Sequence, residues 1–317
     1  MDPLEQVAAS GRRVAVLGGG TGSERAVALV SAGAVAAAVE RLGLPCDLFD
    51  LRANALPEGL DPAVHLVLPL VHGAYGEDGR LSADLDRAGC AYAGCDQAAS
   101  VLCFDKYACK AIAARLGIPV AADRLLFPDQ PVAHAELAAQ LGSPCILKPR
   151  RDGSSVGLHL VRSADDHAAA RDDLAATVYL AEHYIAGCDL TVGVLGGEAL
   201  GVVAVHPQGG LYDYRHKYTG GLSRYEAPAV VGADLAARLR EWSRAAFAAC
   251  GCRDFARVDF RLGDAGEVAF LEINTLPGMT PTSLLPMSAG CTGIGFDQLV
   301  ARFIGCALAR AGGGGAP

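Results

Sequence analysis

Two short runs near the end of the chain constrain its fold more than any other feature. "FARVDFRL" (Phe255 to Leu262) and "FLEINTLPGMT" (Phe270 to Thr280) are apolar strands that each carry two polar residues at a two-residue interval. Alternate strand residues share a face, so Arg257 and Asp259 look out together, as do Glu272 and Asn274, while Leu271 and Ile273 pack behind. "GDAGE" (Gly263 to Glu267) between the runs has the composition of a hairpin loop. In a favourable register Asp259 faces Glu272 and Arg257 faces Asn274. Two carboxylates about 4 Å apart repel by about 4 kcal/mol at an effective dielectric near 20, and a divalent cation turns that repulsion into binding. An oxygen-only set of Asp, Glu and Asn suits Mg²⁺ better than zinc. A solvated hairpin face would carry the same charges, so these residues alone do not decide.

The first hundred residues alternate strand and helix. "RVAVLGGG" is a buried strand ending in glycines, followed by a helix with Ser23 as N-cap, the strand "CDLFDL", and "VHLVLPLVHG", a strand ending at His72. That order predicts a doubly wound parallel sheet with ligands at the carboxyl ends of its strands. Ala26 to Val39, 14 residues without a charge, is too short to span a bilayer and predicts a buried helix. From Cys103 the texture changes. "FDKYACKAIAARLG" is a helix, "IPVAADRLLF" extended, "AHAELAAQLG" a helix, "PCILKP" a strand, and "RRDGSSVGLHLV" two strands joined by a small-residue loop. More strands follow, then a helix over Phe296 to Arg310. The expected class is α/β and α+β, in units 1–97, 98–181 and 182–310, with a disordered Gly-rich tail at 311–317.

A net charge of -8 excludes a partner gripped through nucleic-acid phosphates. "MDPLEQ" has no basic, apolar signal segment, which predicts a cytoplasmic protein without membrane association. The 11 cysteines include no CxxC and are odd in number, which argues against structural zinc or a disulfide framework and for small buried thiols.

Several motifs have the chemistry of a nucleotide site. "LGGGTGSER" lacks the dinucleotide fingerprint, because Ser23 stands where the third glycine belongs, but its glycines let backbone approach a small ligand, and Glu24 at a helix start can meet an amine. "KPRRDGSSVG" sets Lys148 at a strand end before a loop of free N–H groups, as a polyphosphate needs. "YDYRHKYTGGLSRY" is long and basic enough to act as a lid. His72 in "VHGAYGEDG", and Glu182 in "AEHYIAG", are nondescript alone.

In order and spacing, "GGTGSER", "HGAYGEDG", "FDK", "KPRRDGSSVG", "YDYRHKY", "RVDF" and "LEINTLPGMTPTSLLP" resemble the D-alanine:D-alanine ligases of the ATP-grasp superfamily, from about Arg13 to Arg310. The resemblance implies ATP-dependent joining of two D-alanines through an acyl phosphate, for peptidoglycan precursor synthesis, by a homodimer using two Mg²⁺ ions, with Mn²⁺ as a substitute. It implies Asp259, Glu272 and Asn274 as metal ligands. Lys106, Lys148 and Lys217 would contact phosphates, with Ser155 among the nucleotide-binding residues. Glu182 with the backbone of His183 and Ile185 would hold adenine, and Asp189 the ribose. Arg257 and the Gly278 N–H would form an oxyanion hole. Glu24 and His72 would position the first D-alanine, Ser283 and Leu284 the second, and Ser154 and Tyr218 would latch a lid with Glu24.

The chain departs from the family pattern at Arg215 and His216, usually Glu-Ala, at Arg80 and Ser82, often Thr and Gln, and at Asp189, commonly Glu. Tyr218 favours an amino-acid second substrate over D-lactate, by the same analogy. Three further readings compete: a ligase joining other small amino acids in a specialised pathway, a nucleotide-binding protein without chemistry, and a Rossmann oxidoreductase, against which the failed fingerprint counts.

Overall fold

The computed structural model describes residues 3–153, 155–207 and 223–312. After a short helix α1 (Pro3–Ser10), the chain lays down β1 (Arg13–Gly19), α2 (Arg25–Arg41), β2 (Cys46–Leu51), β3 (His65–Pro69), α3 (Ala74–Glu77), α4 (Arg80–Arg87) and β4 (Ala91–Tyr92). The strands form a parallel sheet in the order β2-β1-β3-β4. Helix α2 is the uncharged run, and Ala28, Ala32, Val35 and Val39 make its buried stripe. A Cβ at Gly18 would come within 2.5 Å of the Ala32 Cβ, so glycine sets the spacing of β1 and α2.

Two boundaries differ from the sequence expectation. Helix α2 begins at Arg25 with Glu24 in the cap position and no side-chain cap bond, so Ser23 is not the N-cap. Strand β3 stops at Pro69, because Gly19 and Gly20 take positive φ (85° and 110°) and turn β1 away once Leu70 N–H has reached Leu17 O. Val71 and His72 are therefore freed from the sheet at its carboxyl end.

The middle of the chain holds α5 (Gln97–Phe104), α6 (Lys106–Arg115), β5 (Asp123–Leu126), α7 (His134–Leu141), β6 (Cys145–Pro149), β7 (His159–Val161), α8 (Ala164–Ala169), α9 (Arg171–Ala176) and β8 (Tyr179–His183). Asp105 divides α5 from α6: its extended backbone closes one helix and its carboxylate accepts from Ala108 N at the start of the next. The strands form an antiparallel sheet in the order β5-β8-β6-β7. Among the described residues of "RRDGSSVGLHLV", only the last three, His159–Val161, are strand. Gly157 at φ 67° and Ser155 at φ 56° prevent residues just after β6 from extending.

A third sheet, β11-β10-β9-β12-β13, comprises β9 (Gly187–Leu195), β10 (Glu198–Pro207), β11 (Ser223–Glu226), β12 (Phe255–Gly263) and β13 (Val268–Asn274). It is joined by α10 (Ala233–Ala249), α11 (Leu284–Gly290) and α12 (Phe296–Gly312). The last helix runs two residues into the segment expected to be a disordered tail.

The β12–β13 hairpin has the expected register, Arg257 opposite Asn274 and Asp259 opposite Glu272, closed by Gly263 N–H to Glu267 O at 2.8 Å. The pairing then skips a residue, with Phe260 opposite Phe270. This bulge leaves Leu271 extra, so Leu271 joins Glu272 on the cleft side instead of packing with Ile273. Phe260, Phe270 and Ile273 fill the core behind.

The first and third units share a core: Val16, Val35, Leu66 and Leu68 cluster with Phe255, Leu276, Met279 and Phe303, and the rings of Phe255 and Phe303 stack at 3.9 Å. Asp254 pins the junction. Its carboxylate accepts from Gly94 N (2.7 Å) and Arg310 Nη2 (2.6 Å), while its backbone sits at φ 61°, which Asp tolerates better than Ala. Asp254→Ala is expected to lower unfolding free energy by about 1.5–3 kcal/mol, because it leaves a half-buried guanidinium and an N–H without their shared acceptor. Urea denaturation of both proteins measures this; a loss below about 1 kcal/mol would remove Asp254 from that role.

Candidate active site

The two antiparallel sheets face each other across an open cleft with about 1130 Å³ of empty space. Its third-sheet wall includes Asp189, Arg257, Asp259, Glu272 and, from α11, Leu284. The opposing wall includes Lys106, Lys148, Ser155, Glu182, His183 and Ile185. Eleven expected site residues thus meet on one cavity. Ser154, Lys217 and Tyr218, with Arg215 and His216, lie outside the described residues.

Asp259, Glu272, Glu182 and Asp189 on the walls each face a cation. Arg257 grips Asp259 through two hydrogen bonds of 2.8 Å, and Thr191 Oγ1 donates to the same carboxylate at 2.6 Å. Glu272 lies 3.6 Å from Lys106 Nζ, which also donates to the Asp152 carbonyl. Asn274 Oδ1 accepts from Leu276 N at 3.1 Å, fixing the turn that enters "TLPG". Asp259, Glu272 and Asn274 therefore present oxygen donors alone, on one face and at paired register positions, a set that fits Mg²⁺.

Glu182 is engaged more deeply than its motif suggests. It bridges Lys148 (2.7 Å) and Lys110 (2.6 Å), and Lys110 also meets Asp123 at 2.7 Å. Burial pushes the Glu182 carboxyl up, but Lys148 and Lys110 together outweigh it and hold it below the ordinary value. Arg261 continues the alternation of β12: it donates to the Ile185 carbonyl and to Asp189, both at 2.9 Å. The segment expected to meet adenine and ribose is thus braced from the metal-ligand strand. Lys110 and Arg261 lie within quoted runs but carry no role in the sequence reading, although a lysine in an apolar helix and a third charged residue at the "RVDF" interval were both visible signals.

Glu24, His72 and Glu77 gather behind the cleft, at the carboxyl end of the parallel sheet, with Glu24 and Glu77 reaching toward its Gly153. His72 Nδ1 lies 3.0 Å from Leu276 O and Nε2 lies 3.3 Å from Ser31 Oγ. A carbonyl can only accept, so Nδ1 carries the proton and Nε2 accepts from the serine, whose oxygen in turn accepts from Met279 N at 3.2 Å. Burial lowers the His72 pKa and keeps the ring neutral. Both nitrogens are spoken for by protein, so His72 fixes the loop after β13 against α2.

Glu77 lies within "HGAYGEDG" but carries no role in the sequence reading, since one glutamate in a polar run has no periodicity to flag it. A Cβ at Gly153 would lie 3.1 Å from Glu24 Oε2 and 3.5 Å from Glu77 Oε2, so both carboxylates converge on that glycine. Burial, then Glu24, pushes the Glu77 carboxyl up to about 8. Two carboxylates sharing a buried space are matched to an incoming ammonium. Gly278 and Ser283 adjoin: a Cβ at Gly278 would sit 3.0 Å from Ser283 Oγ, which accepts from Thr280 N at 3.0 Å. The departing residues are quieter. Arg80 pairs with Asp78 at 2.8 Å and packs over Tyr75, and Ser82 donates to Gly79 O at 3.0 Å.

Comparison with known proteins settles the family. The family model described as the D-ala D-ala ligase C-terminus matches residues 112–305. A D-alanine–D-alanine ligase of Acidiphilium cryptum is 40% identical over 306 residues, covering 94% of this chain and 99% of that protein. The chain belongs to the D-alanine–D-alanine ligase family. Among solved members of this family, the Bacillus anthracis ligase complexed with ATP superposes with a TM-score of 0.80 at 26% identity, covering 96% of this chain and 100% of that one. The VanG D-Ala:D-Ser ligase of Enterococcus faecalis gives 0.77 at 27% identity, covering 94% and 99%. The ATP-grasp architecture expected of the family is the one described above: a parallel sheet followed by two antiparallel sheets around a cleft. Among the described residues, no helix is long and apolar enough to cross a membrane.

The Glu77 carboxyl gives the family site a measurable pH signature. Without substrate the native state keeps this proton to about pH 8, whereas the unfolded chain releases it near the ordinary value of 4.5. Between those values the unfolded state binds fewer protons, so stability falls as pH rises. Glu77→Gln cannot titrate. Its unfolding free energy should gain on the parent by up to about 1.4 kcal/mol per pH unit through that window. Parallel unfolding curves from pH 5 to 8 would refute the assignment.

Proposed function

We propose that the protein joins two D-alanine molecules at the expense of ATP, forming D-alanyl-D-alanine for peptidoglycan precursor synthesis in the cytoplasm. The observation that carries this reading is the convergence of the β12–β13 oxygen donors with Lys106 and Lys148 on one cleft, beside the Glu24–Glu77 pair, in a chain of this family.

The chemistry builds charge in two places. The carboxylate of the first D-alanine attacks the γ-phosphorus of ATP, breaking its bond to ADP and giving an acyl phosphate. The amine of the second then attacks the acyl carbon, loses a proton and expels phosphate. Lys106, Lys148 and, by family analogy, Lys217 offset the charge of the phosphates. Glu24 and Glu77 hold the first ammonium, while His72 keeps the Leu276–Met279 segment in place beneath Gly278. Arg257, with the Gly278 N–H, stabilises the oxyanion on the acyl carbon. Ser283 and Leu284 take the second D-alanine. The backbone of His183 and Ile185 meets adenine, Asp189 the ribose, Ser155 the phosphates, and Ser154 and Tyr218 the closing lid. Two Mg²⁺ ions, replaceable by Mn²⁺, would be held by Asp259, Glu272 and Asn274, and would neutralise phosphate oxygens.

The three sheets support the division into units 1–97, 98–181 and 182–310, with β8 straddling the second boundary. Assembly as a homodimer belongs to the same reading, and light scattering tests it.

The primary test is phosphate release from ATP and Mg²⁺ with D-alanine, against L-alanine, D-serine and D-lactate, with products identified by mass. D-Ala-D-Ala as the only dipeptide is the expected outcome. The D-Ala:D-Ser ligase among the structural relatives makes D-serine the informative competitor. A mixed D-Ala-D-Ser product of comparable yield would replace the second substrate. Arg257→Ala should lower kcat by about 100-fold or more, the size of effect seen when an oxyanion donor is lost. Calorimetry should find ATP affinity within a few-fold of the parent; loss of nucleotide binding by a folded variant would move Arg257 out of the oxyanion role.

A further inference from the structure

Four cysteines that are far apart in sequence meet in the core between α5–α6 and the end of α10, and a fifth, Cys95, packs beside one of them, Cys252. Cys103 closes α5, Cys109 lies in the first turns of α6, Cys250 caps the C-terminus of α10, and Cys252 follows in the turn to β12. All four are buried, at 3%, 0%, 3% and 8% exposure. Cys103 Sγ lies 3.5 Å from Cys252 Sγ, and Cys109 Sγ 3.9 Å from Cys250 Sγ. The sulfurs of Cys103, Cys109 and Cys250 all fall within 4.8 Å of one another. The absence of CxxC argued against such a cluster, but spacing along the chain cannot report a meeting across 141 and 149 residues.

The arrangement has the dimensions of a thiolate metal site. A tetrahedral ion with metal–sulfur bonds of about 2.3 Å separates its ligands by about 3.8 Å, near the spacings observed. The ligands arrive as two local pairs on two rigid segments, and the pocket around them is apolar, with Ala99, Ala113, Ala246 and Phe247 in the same cluster. Small apolar filling alone would let the thiols scatter, as Cys90 and Cys145 do elsewhere in the core.

We propose that Cys103, Cys109 and Cys250 bind one thiophilic d¹⁰ cation of the Zn²⁺ class, with Cys252, 3.5 Å from Cys103 but outside the three sulfurs that lie mutually within 4.8 Å, drawn in as the fourth ligand. Sulfur-only ligation selects such ions over the Mg²⁺ of an oxygen-lined cleft, and a four-sulfur shell leaves no open position for chemistry. The ion is structural. It ties α6, whose Lys106 and Lys110 reach the cleft, to the end of α10 beside β12, which carries Arg257 and Asp259.

The test uses the full chain, reduced, stripped with a chelator and then titrated with Zn²⁺ against a chromophoric competitor, and separately with Cd²⁺. One equivalent per chain, a sulfur-to-cadmium charge-transfer absorption and a raised melting temperature are expected. Cys103→Ser and Cys109→Ala should each abolish the absorption and the thermal shift, Cys145→Ser should keep both, and circular dichroism verifies that each variant is folded. Three results overturn the site: no uptake by the reduced, folded protein, uptake unchanged in the folded Cys103 and Cys109 variants, or sulfurs that take up no metal and instead oxidise to a Cys103–Cys252 disulfide.

Discussion

Compensation of buried and half-buried carboxylates by fixed cations is the constraint on which the cleft depends. Asp259 is clasped by Arg257, Glu182 by Lys110 and Lys148, Asp189 by Arg261, and Glu272 is approached by Lys106. A carboxylate taken from water without such a partner would cost several kcal/mol and would protonate instead. The same pairs define what the cleft can receive. On the proposed reading a polyphosphate would compete with Glu182 for Lys148 and with Glu272 for Lys106, and a divalent cation would release Asp259 and Glu272 from their partners. Ligands arriving together would exchange one set of ion pairs for another, so little net charge would be exposed. Either ligand alone would leave half of that exchange undone, which on that reading couples the binding of nucleotide and metal.

Glu77 is the exception to that compensation, and on the proposed reading it is where the substrate ammonium would sit. Its neighbours are Glu24, Glu272 and one cation, Lys106, so protonation takes the place of a partner. An ammonium restores the missing charge and drives the proton off. The neighbouring histidine is settled differently. Its carbonyl and hydroxyl partners spend both ring nitrogens on joining residues 31, 72, 276 and 279, which brings the substrate wall and the oxyanion turn into one rigid body. Position is thus supplied by neutral hydrogen bonds and recognition by charge.

How much of this was legible in the sequence depends on what kind of partner each residue has. The β12–β13 register could be read because both strands alternate strictly and a short loop joins them, so side-chain pattern and pairing coincide. The bulge could not, since Leu271 is apolar on either face. The link from His72 to Leu276 O was hidden because the acceptor is backbone, which any residue supplies. Glu182 was legible as a site residue but not as the centre of a lysine pair, because Lys110 lies on a helix 72 positions earlier. Strand ends failed for a related reason: β3 stops where glycines in its neighbour turn away, a property of the partner strand.

The departures from the family pattern now divide by position. Arg80 pairs locally with Asp78 and stacks on Tyr75 at the surface of α4, and Ser82 satisfies itself on its own helix's cap, so neither needs a ligand to explain it. Asp189 differs in kind, because the shorter side chain faces the cleft and is held by Arg261 at 2.9 Å. Aspartate places its carboxylate about one methylene nearer the strand than glutamate does, and Arg261, which also holds the Ile185 carbonyl, fixes it there. On the proposed reading the nucleotide wall would therefore adjust through Arg261, independently of the β12–β13 donors and the Glu24–Glu77 pair.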